Sequence, residues 1–254
     1  MIKLRQEFEL FLIALSFFTR IPVICKIDYS AEKLNQANRY FGAVGLVVGL
    51  ISAAAYCIAN LFLPDSLSAG IAILMGLWLT GGFHEDGLAD VFDGFGGAWE
   101  PKRKLEIMKD SRVGTYGTLA LVTVLGFKWF ALQEVSHPAI ALIVMHTISR
   151  VGAASIICAL PYVQADKESK VKPLANVQTL FDIKVLSLTA AVVLLLLLPL
   201  GYAFAVFLSA LLVRRLCIIW FNRHLGGYTG DCLGAAQQLI EITGYLVLVA
   251  LTVN

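Results

Sequence analysis

The stretch GAVGLVVGLISAAAYCIANLFL, Gly42 to Leu63, carries no charged side chain. As a helix it is long enough to cross the ~30 Å hydrocarbon core of a bilayer. Gly45 and Gly49 stand four residues apart within it, the spacing at which small residues let a second membrane helix approach closely. Composition agrees with this reading along the whole chain: 254 residues are 58% hydrophobic with a mean hydropathy of +0.78, too apolar for an ordinary soluble domain. The expected fold is therefore an all-α, polytopic membrane helix bundle.

Upstream of Gly42, the segment from Lys26 to Arg39 is polar, and before it Phe8 to Phe18 is apolar but short. That run ends at Thr19-Arg20-Ile21-Pro22 and reads as an interfacial, half-buried helix rather than a span. The N-terminal segment carries acids and no small-residue cleavage site, so it reads as retained rather than as a removable signal peptide. Downstream, after the Pro64-Asp65-Ser66 turn, a second span covers about Leu67 to Phe83. The third runs from the Gly114-Thr115-Tyr116-Gly117 turn to about Leu132, and the fourth from about Pro138 to Leu160. A charged loop from Gln164 to Lys184 follows. The remaining spans are about Val185 to Leu200, Tyr202 to Phe221 and Leu233 to Val253. Seven spans and one interfacial helix make a single integral-membrane domain over residues 1–254.

Lys and Arg concentrate in the N-terminal segment and in the loops after spans two, four and six. The opposite loops, Pro64 to Ser68, Glu134 to His137 and Gly201, have none. By the positive-inside rule the basic loops face the cytoplasm. The same alternation brings three polar motifs to that side: Glu85 to Asp93, Asp110 to Arg112 and Gly226 to Asp231. Net charge, at +2, says little about partners, and nothing suggests nucleic acid. Cys25, Cys57, Cys158, Cys217 and Cys232 are scattered without a C-x-x-C pair or a His at ligand spacing, which argues against a zinc site or a disulfide framework.

The first motif, HEDGLADVFDGFGG from His84 to Gly97, sets carboxylates among Gly, Leu and Phe. On a helix Asp86, Asp90 and Asp93 fall at i, i+4 and i+7 and share one face, with Glu85 at its margin. Like charges that close repel, so either some are protonated or a cation holds them. An oxygen-only set favours a hard divalent ion such as Mg2+. The basic segment that follows, Pro101 to Arg112, has Pro at a first helical position and an apolar side of Leu105, Ile107 and Met108, and is expected to lie along the membrane surface. Its Lys102, Arg103, Lys104, Lys109 and Arg112 either bind phosphate oxygens or anchor on anionic lipid. Acids holding Mg2+ beside phosphate-binding bases suit a diphosphate substrate.

Asp231 is either the N-cap of the last span or a ligand, and Gln238 and Glu241 share its helical face. Lys128 and Arg150 lie inside apolar spans, where an ionised group faces a cavity, a partner or substrate. His146 is one turn before Arg150. His84 adjoins the acids and reads as a general base, a metal neighbour or a structural hydrogen-bonding group.

Three segments together, Gly81 to Asp90, Glu106 to Thr115 and Gly226 to Ala235, resemble the cobalamin synthase family, the adenosylcobinamide-GDP ribazoletransferases. The likeness extends to Phe17-x-Thr19-Arg20-Ile21-Pro22, Lys128 and Ser149-Arg150. It implies that adenosylcobinamide-GDP is joined to α-ribazole or its 5'-phosphate with release of GMP and a requirement for Mg2+. On that reading Glu85, Asp86, Asp90 and Asp93 hold the metal, and one of the carboxylates or His84 takes the proton of the attacking hydroxyl. Lys109, Asp110, Ser111, Arg112, Lys128, Arg150, Thr229 and Asp231 then bind substrate. The expected location is the cell (inner) membrane with the site facing the cytoplasm. Membrane lipid is an expected partner, other cobalamin-assembly enzymes are candidates, and the oligomeric state is open.

Two rivals stay in view. Asp90-x-x-Asp93-Gly94 matches the first half of the D-x-x-D-G-x-x-A-R motif of CDP-alcohol phosphotransferases, but Ala-Arg does not follow. An ion-coupled transporter would use Lys128 and Arg150, yet no broken-helix pair recurs in repeated halves.

Overall fold

The computed structural model describes residues 2–25, 27–163 and 177–253; Lys26 and residues 164–176 of the expected charged loop lie outside them. Among the described residues the chain forms eleven α-helices and no strand. They are α1 (Ile2–Phe18), α2 (Ala31–Gln36), α3 (Phe41–Asn60), α4 (Asp65–Thr80), α5 (Phe83–Gly97), α6 (Pro101–Met108), α7 (Thr115–Glu134), α8 (Pro138–Ala154), α9 (Leu180–Leu197), α10 (Leu200–Leu225) and α11 (Gly230–Val253). A 3-10 turn, Ala37–Tyr40, leads into α3.

Seven helices, α3, α4 and α7 to α11, coincide with the seven expected spans. Five of them are long and apolar enough to cross a membrane alone; α4 qualifies only together with α5, from which it is bent by 88°. α8 is an apolar helix of 17 residues, shorter than the expected Pro138–Leu160. The difference is made up by successive turns, with Ile156 N–H donating to Ala153 O and Ala159 N–H to Ile156 O.

Glycine sets the closest helix contact. A Cβ on Gly45 would collide with the backbone oxygen of His146, and one on Gly49 would lie 2.8 Å from Ile143 Cα, so α3 and α8 meet backbone to backbone. Two-thirds of the apolar window of α11 is buried, against 22% for α9 and 28% for α10. α11 is thus the axis of the bundle, while α9 and α10 present most of their surface outward, as lipid-facing helices do.

α1 begins earlier than the apolar run alone suggests. It buries Leu10, Ile13, Ala14, Leu15 and Phe18 and leaves Leu4 and Phe8 exposed, which fits a half-buried helix. Its charged first half is held by Glu7, which accepts from Arg39 Nη1 at 3.1 Å and Tyr40 Oη at 2.8 Å. Arg39 Nε also donates to Asp182 Oδ1 at 2.6 Å. That bond docks the N-terminal region on α9, whose own start is closed by a Thr179–Asp182 capping box.

Candidate functional site

The bend between α4 and α5 places the site. Gly81 and Gly82 both adopt left-handed backbone, with φ of +70° and +72°, a pair of conformations other residues resist. α5 leaves at nearly a right angle and lies across the ends of the spans instead of continuing through them. A Cβ on Gly87 would sit 2.8 Å from Asp231 O, and one on Gly234 3.1 Å from His84 O, so α5 crosses the first turn of α11 in direct backbone contact. At its far end α5 meets the start of α7. The polar motifs around Glu85–Asp93 and Gly226–Asp231 do converge at one end of the bundle.

The three aspartates that share a helical spacing have different surroundings. Asp93 is buried and accepts from Gly114 N–H at 2.7 Å and Gly117 N–H at 2.9 Å, the free amides at the start of α7. Asp86 is exposed and Asp90 half-buried. Burial, then the nearby carboxylates of Asp231, Asp86 and Asp93, push Asp90 up to about 7. Asp231 is not the cap of α11. Thr229 Oγ1 accepts from Cys232 N–H at 3.3 Å and so occupies the capping position of α11. Asp231, inside the first turn, is free of that duty and lies close enough to Asp86 and Asp90 to interact with both.

Beneath these acids a buried polar network enters the bundle. Lys128 Nζ on α7 lies 2.8 Å from Glu241 Oε1 and donates to Gln238 Oε1 at 2.6 Å. Gln238 Nε2 donates to Glu85 Oε1 at 2.8 Å and to Gln237 Oε1 at 2.7 Å. Gln237 Nε2 reaches Ser149 Oγ at 2.9 Å and also bonds Glu241. Arg150 Nη1 donates to His146 O at 2.9 Å, and His146 Nδ1 is 3.5 Å from Glu241 Oε2. A cavity of about 20 Å³, room for a water molecule, is lined by this network. Among the described residues, Glu85 Oε2, Arg150 Nε and Tyr245 Oη, all in its lining residues, are buried without a hydrogen-bond partner.

The Asp110–Arg112 motif behaves differently. Arg112 donates to its own neighbour Asp110 through Nε at 3.0 Å and Nη2 at 2.6 Å, and its backbone N–H does so at 3.1 Å. Both side chains are in water, and the guanidinium holds the Asp110 carboxyl down at about 2. Lys109 and Ser111 lie in the same connection between α6 and α7. In α6, Lys104 is buried with its ammonium 5.8 Å from the Phe95 ring centre. His84 is buried and stacked on Phe18 at 5.9 Å, and desolvation, with Arg150 second, holds it well below the usual imidazole range. It is a neutral ring in an aromatic setting, not a side chain turned into the mouth.

Among the described residues no three His, Cys, Asp or Glu side chains are gathered into a ready-made metal cage. The donors nevertheless suit Mg2+ in kind: Asp86, Asp90 and Asp231 supply oxygen only and repel one another. This ion is commonly held by one or two carboxylates plus substrate phosphates rather than by an all-protein cage. The apolar and polar periodicities pointed to Lys128, Arg150, Gln238 and Glu241. They missed Gln237, and they missed Arg214, inside α10, whose Nε donates to Ser155 Oγ at 2.6 Å.

A family model described as cobalamin-5-phosphate synthase matches residues 10–249. The chain is 51% identical over 252 residues to a Shewanella amazonensis protein named adenosylcobinamide-GDP ribazoletransferase, covering 97% of each. Relatives of the same name from Shewanella putrefaciens and Shewanella oneidensis are 50% identical over 248 residues, covering 96% of this chain and 94% of theirs. No solved structure matches.

Proposed function

The chain belongs to the cobalamin-5-phosphate synthase family, and from that premise we propose that it acts as its relatives are named, as an adenosylcobinamide-GDP ribazoletransferase. A ribose hydroxyl of α-ribazole, or of its 5'-phosphate, attacks the phosphorus that carries the cobinamide. A new P–O bond forms, the bond to the bridging oxygen breaks, and GMP leaves with that oxygen. The observation that carries this reading is the meeting of α5 with the first turn of α11, which collects Asp86, Asp90 and Asp231 at one mouth.

Each residue has a separate task there. Asp86 and Asp231 would hold Mg2+, which supplies charge neutralisation on the diphosphate and on the departing GMP. Asp90 accepts the proton of the attacking hydroxyl: burial raises its proton affinity above that of an ordinary aspartate, and Mg2+ on Asp86 and Asp231 would relieve only the part owed to their charge. His84, buried and aromatic-packed, is the weaker candidate. Asp93 fixes α5 against α7 through its two amide bonds, and Glu85 joins the mouth to the buried network through Gln238. Lys128 and Arg150 support the site from below, and Arg112 reaches substrate only by exchanging its bonds to Asp110. The distribution of Lys and Arg supports a mouth on the cytoplasmic face of the cell (inner) membrane.

Incubating the purified protein with adenosylcobinamide-GDP, α-ribazole and Mg2+ should release GMP only when all three are present. GMP release that does not need α-ribazole, or transfer from a CDP-alcohol instead, would overturn the assignment.

A further inference from the structure

Beside the acids, a cleft of about 440 Å³ opens between the chain leaving α1, the Gly81-Gly82 turn and the start of α7; its walls include Arg20, Gly81, Phe83, Glu85, Asp86 and Val113. Its volume falls in the range of small-molecule sites. It contains a single cation, Arg20, which the motifs around the acids did not single out as a site residue.

Arg20 is placed with some care. Its backbone N–H donates to Leu79 O at 2.7 Å, pinning the segment after α1 to the last turn of α4. The preceding Thr19 is anchored by Oγ1 to Leu15 O at 2.7 Å and accepts from Ile21 N–H at 3.3 Å. The side chain then lies along the left-handed turn: a Cβ on Gly81 would be 2.8 Å from Arg20 Nε and 3.0 Å from Nη2. Gly81 is needed for its φ, and the guanidinium lies against it. Among the described residues the Arg20 side chain makes no hydrogen bond or ion pair, although it shares the cleft with Glu85 and Asp86. Arg112, the arginine that the motif nominates for phosphate, is closed on Asp110 instead.

From this contrast we infer that Arg20 is the guanidinium that receives the diphosphate of the nucleotide-activated substrate, in the cleft between the Gly81-Gly82 turn and Asp86. The inference rests on the diphosphate-transfer reading above and adds a binding residue to it. A planar fork with unused donors suits two phosphoryl oxygens at once. Asp86, on the same cleft, would repel the anion alone, so anion and divalent cation enter together: Asp86 holds the metal, Arg20 the phosphate oxygens.

The test is direct binding of Mg·GDP to the detergent-solubilised full chain, by calorimetric titration, in wild type, R20A, R20K and R5A, the last at an exposed arginine of α1 that does not line the cleft. R20A should bind roughly 10–100-fold more weakly, as expected for loss of a hydrogen bond to a charged group. R20K, which keeps charge and loses the fork, should fall between, and R5A should stay close to wild type. In turnover, R20A should raise KM for adenosylcobinamide-GDP and leave KM for α-ribazole unchanged, a split that general damage to the fold would not produce. Thermal unfolding of each variant checks that it folds, and R20K carries the test if R20A does not. Mg·GDP affinity in R20A or R20K within about twofold of wild type overturns the inference, as does no Mg·GDP binding by wild type. Wild type that binds Mg·GDP in an Arg20-dependent way but releases no GMP from substrate leaves Arg20 in place and overturns the functional reading instead.

Discussion

Asp90 and Asp93 are three residues apart on one helix, yet only one of them is satisfied by the fold. Asp93 closes the free amides of α7, whereas Asp90 is left among like charges and is pushed up to about 7. A carboxylate whose folded pKa lies above its unfolded value stabilises the protein while it is protonated. That contribution is present at acid pH and is lost as pH rises from about 4 through about 7. A divalent cation at the mouth reverses the loss, so Mg2+ should raise the melting temperature more at pH 8 than at pH 5.5, and D90N should flatten that difference. The same ionisation governs the chemistry: kcat should fall about tenfold per unit below the Asp90 pKa. That limb should move to lower pH as Mg2+ rises, and D90N should abolish it along with transfer. For Asp93 the expectation is structural. D93A leaves two amides at the α5–α7 junction without their acceptor and should cost about 1–3 kcal/mol for each one that water does not reach, read as a lowered denaturation midpoint. The spacing of the acids was legible in the chain. Which of them would be consumed by amides was not, because Gly114 and Gly117 reach Asp93 only through the packing of α7 on α5.

At the scale of elements, apolar runs located all seven expected helices, five of them long and apolar enough to cross a membrane alone, because lipid demands continuous stretches of apolar, internally hydrogen-bonded backbone. Their ends were less legible. α8 stops at Ala154 and proceeds in turns, and α1 starts near Ile2 because Arg39 and Tyr40 satisfy Glu7, a tertiary pairing that no local pattern announces. The 88° bend was not legible: the second span was expected to run through Gly81-Gly82 to about Phe83, whereas α4 ends at Thr80 and the left-handed pair carries α5 across the first turn of α11, where Asp90 meets Asp231 only because Gly87 and Gly234 let the two backbones touch. Gly87→Ala should force α5 away from Asp231. A displacement of about 1 Å at such a site can cost on the order of 10²-fold in rate. The variant is expected to insert and to lose about 1–3 kcal/mol of stability to overpacking, while transfer falls by at least about tenfold; assaying GMP release under conditions where thermal unfolding shows the variant folded separates the two effects.

Over the whole molecule, the charges around the inner cavity form a balanced set reaching across the bundle. Lys128 from α7 and Arg150 from α8 are cations; Glu241 from α11 and Glu85 from α5 are the anions, with Gln238 bonded to both Lys128 and Glu85. The cost of a lone charge in an apolar span made Lys128 and Arg150 conspicuous from the start, and the stripe from Asp231 through Gln238 to Glu241 was visible as a helical face. Their pairing across four helices follows only from the fold. Such a pair is weak evidence for stability as a whole, since charges must be desolvated to form it, but breaking it from one side leaves the other uncompensated. K128M and E241Q should therefore each destabilise the protein, by about 3–5 kcal/mol for a fully buried pair. K128M/E241Q should be less damaging than either single variant, because neither charge is left uncompensated, and should show a favourable coupling in a double-mutant cycle of unfolding. Activity should not follow stability back. In the double variant Gln238 loses Lys128, the donor that fixes its Oε1, so the amide that holds Glu85 at the mouth is free to turn. Transfer should remain depressed although the melting temperature recovers. Full recovery of both would show that the network only balances charge and does not position the mouth.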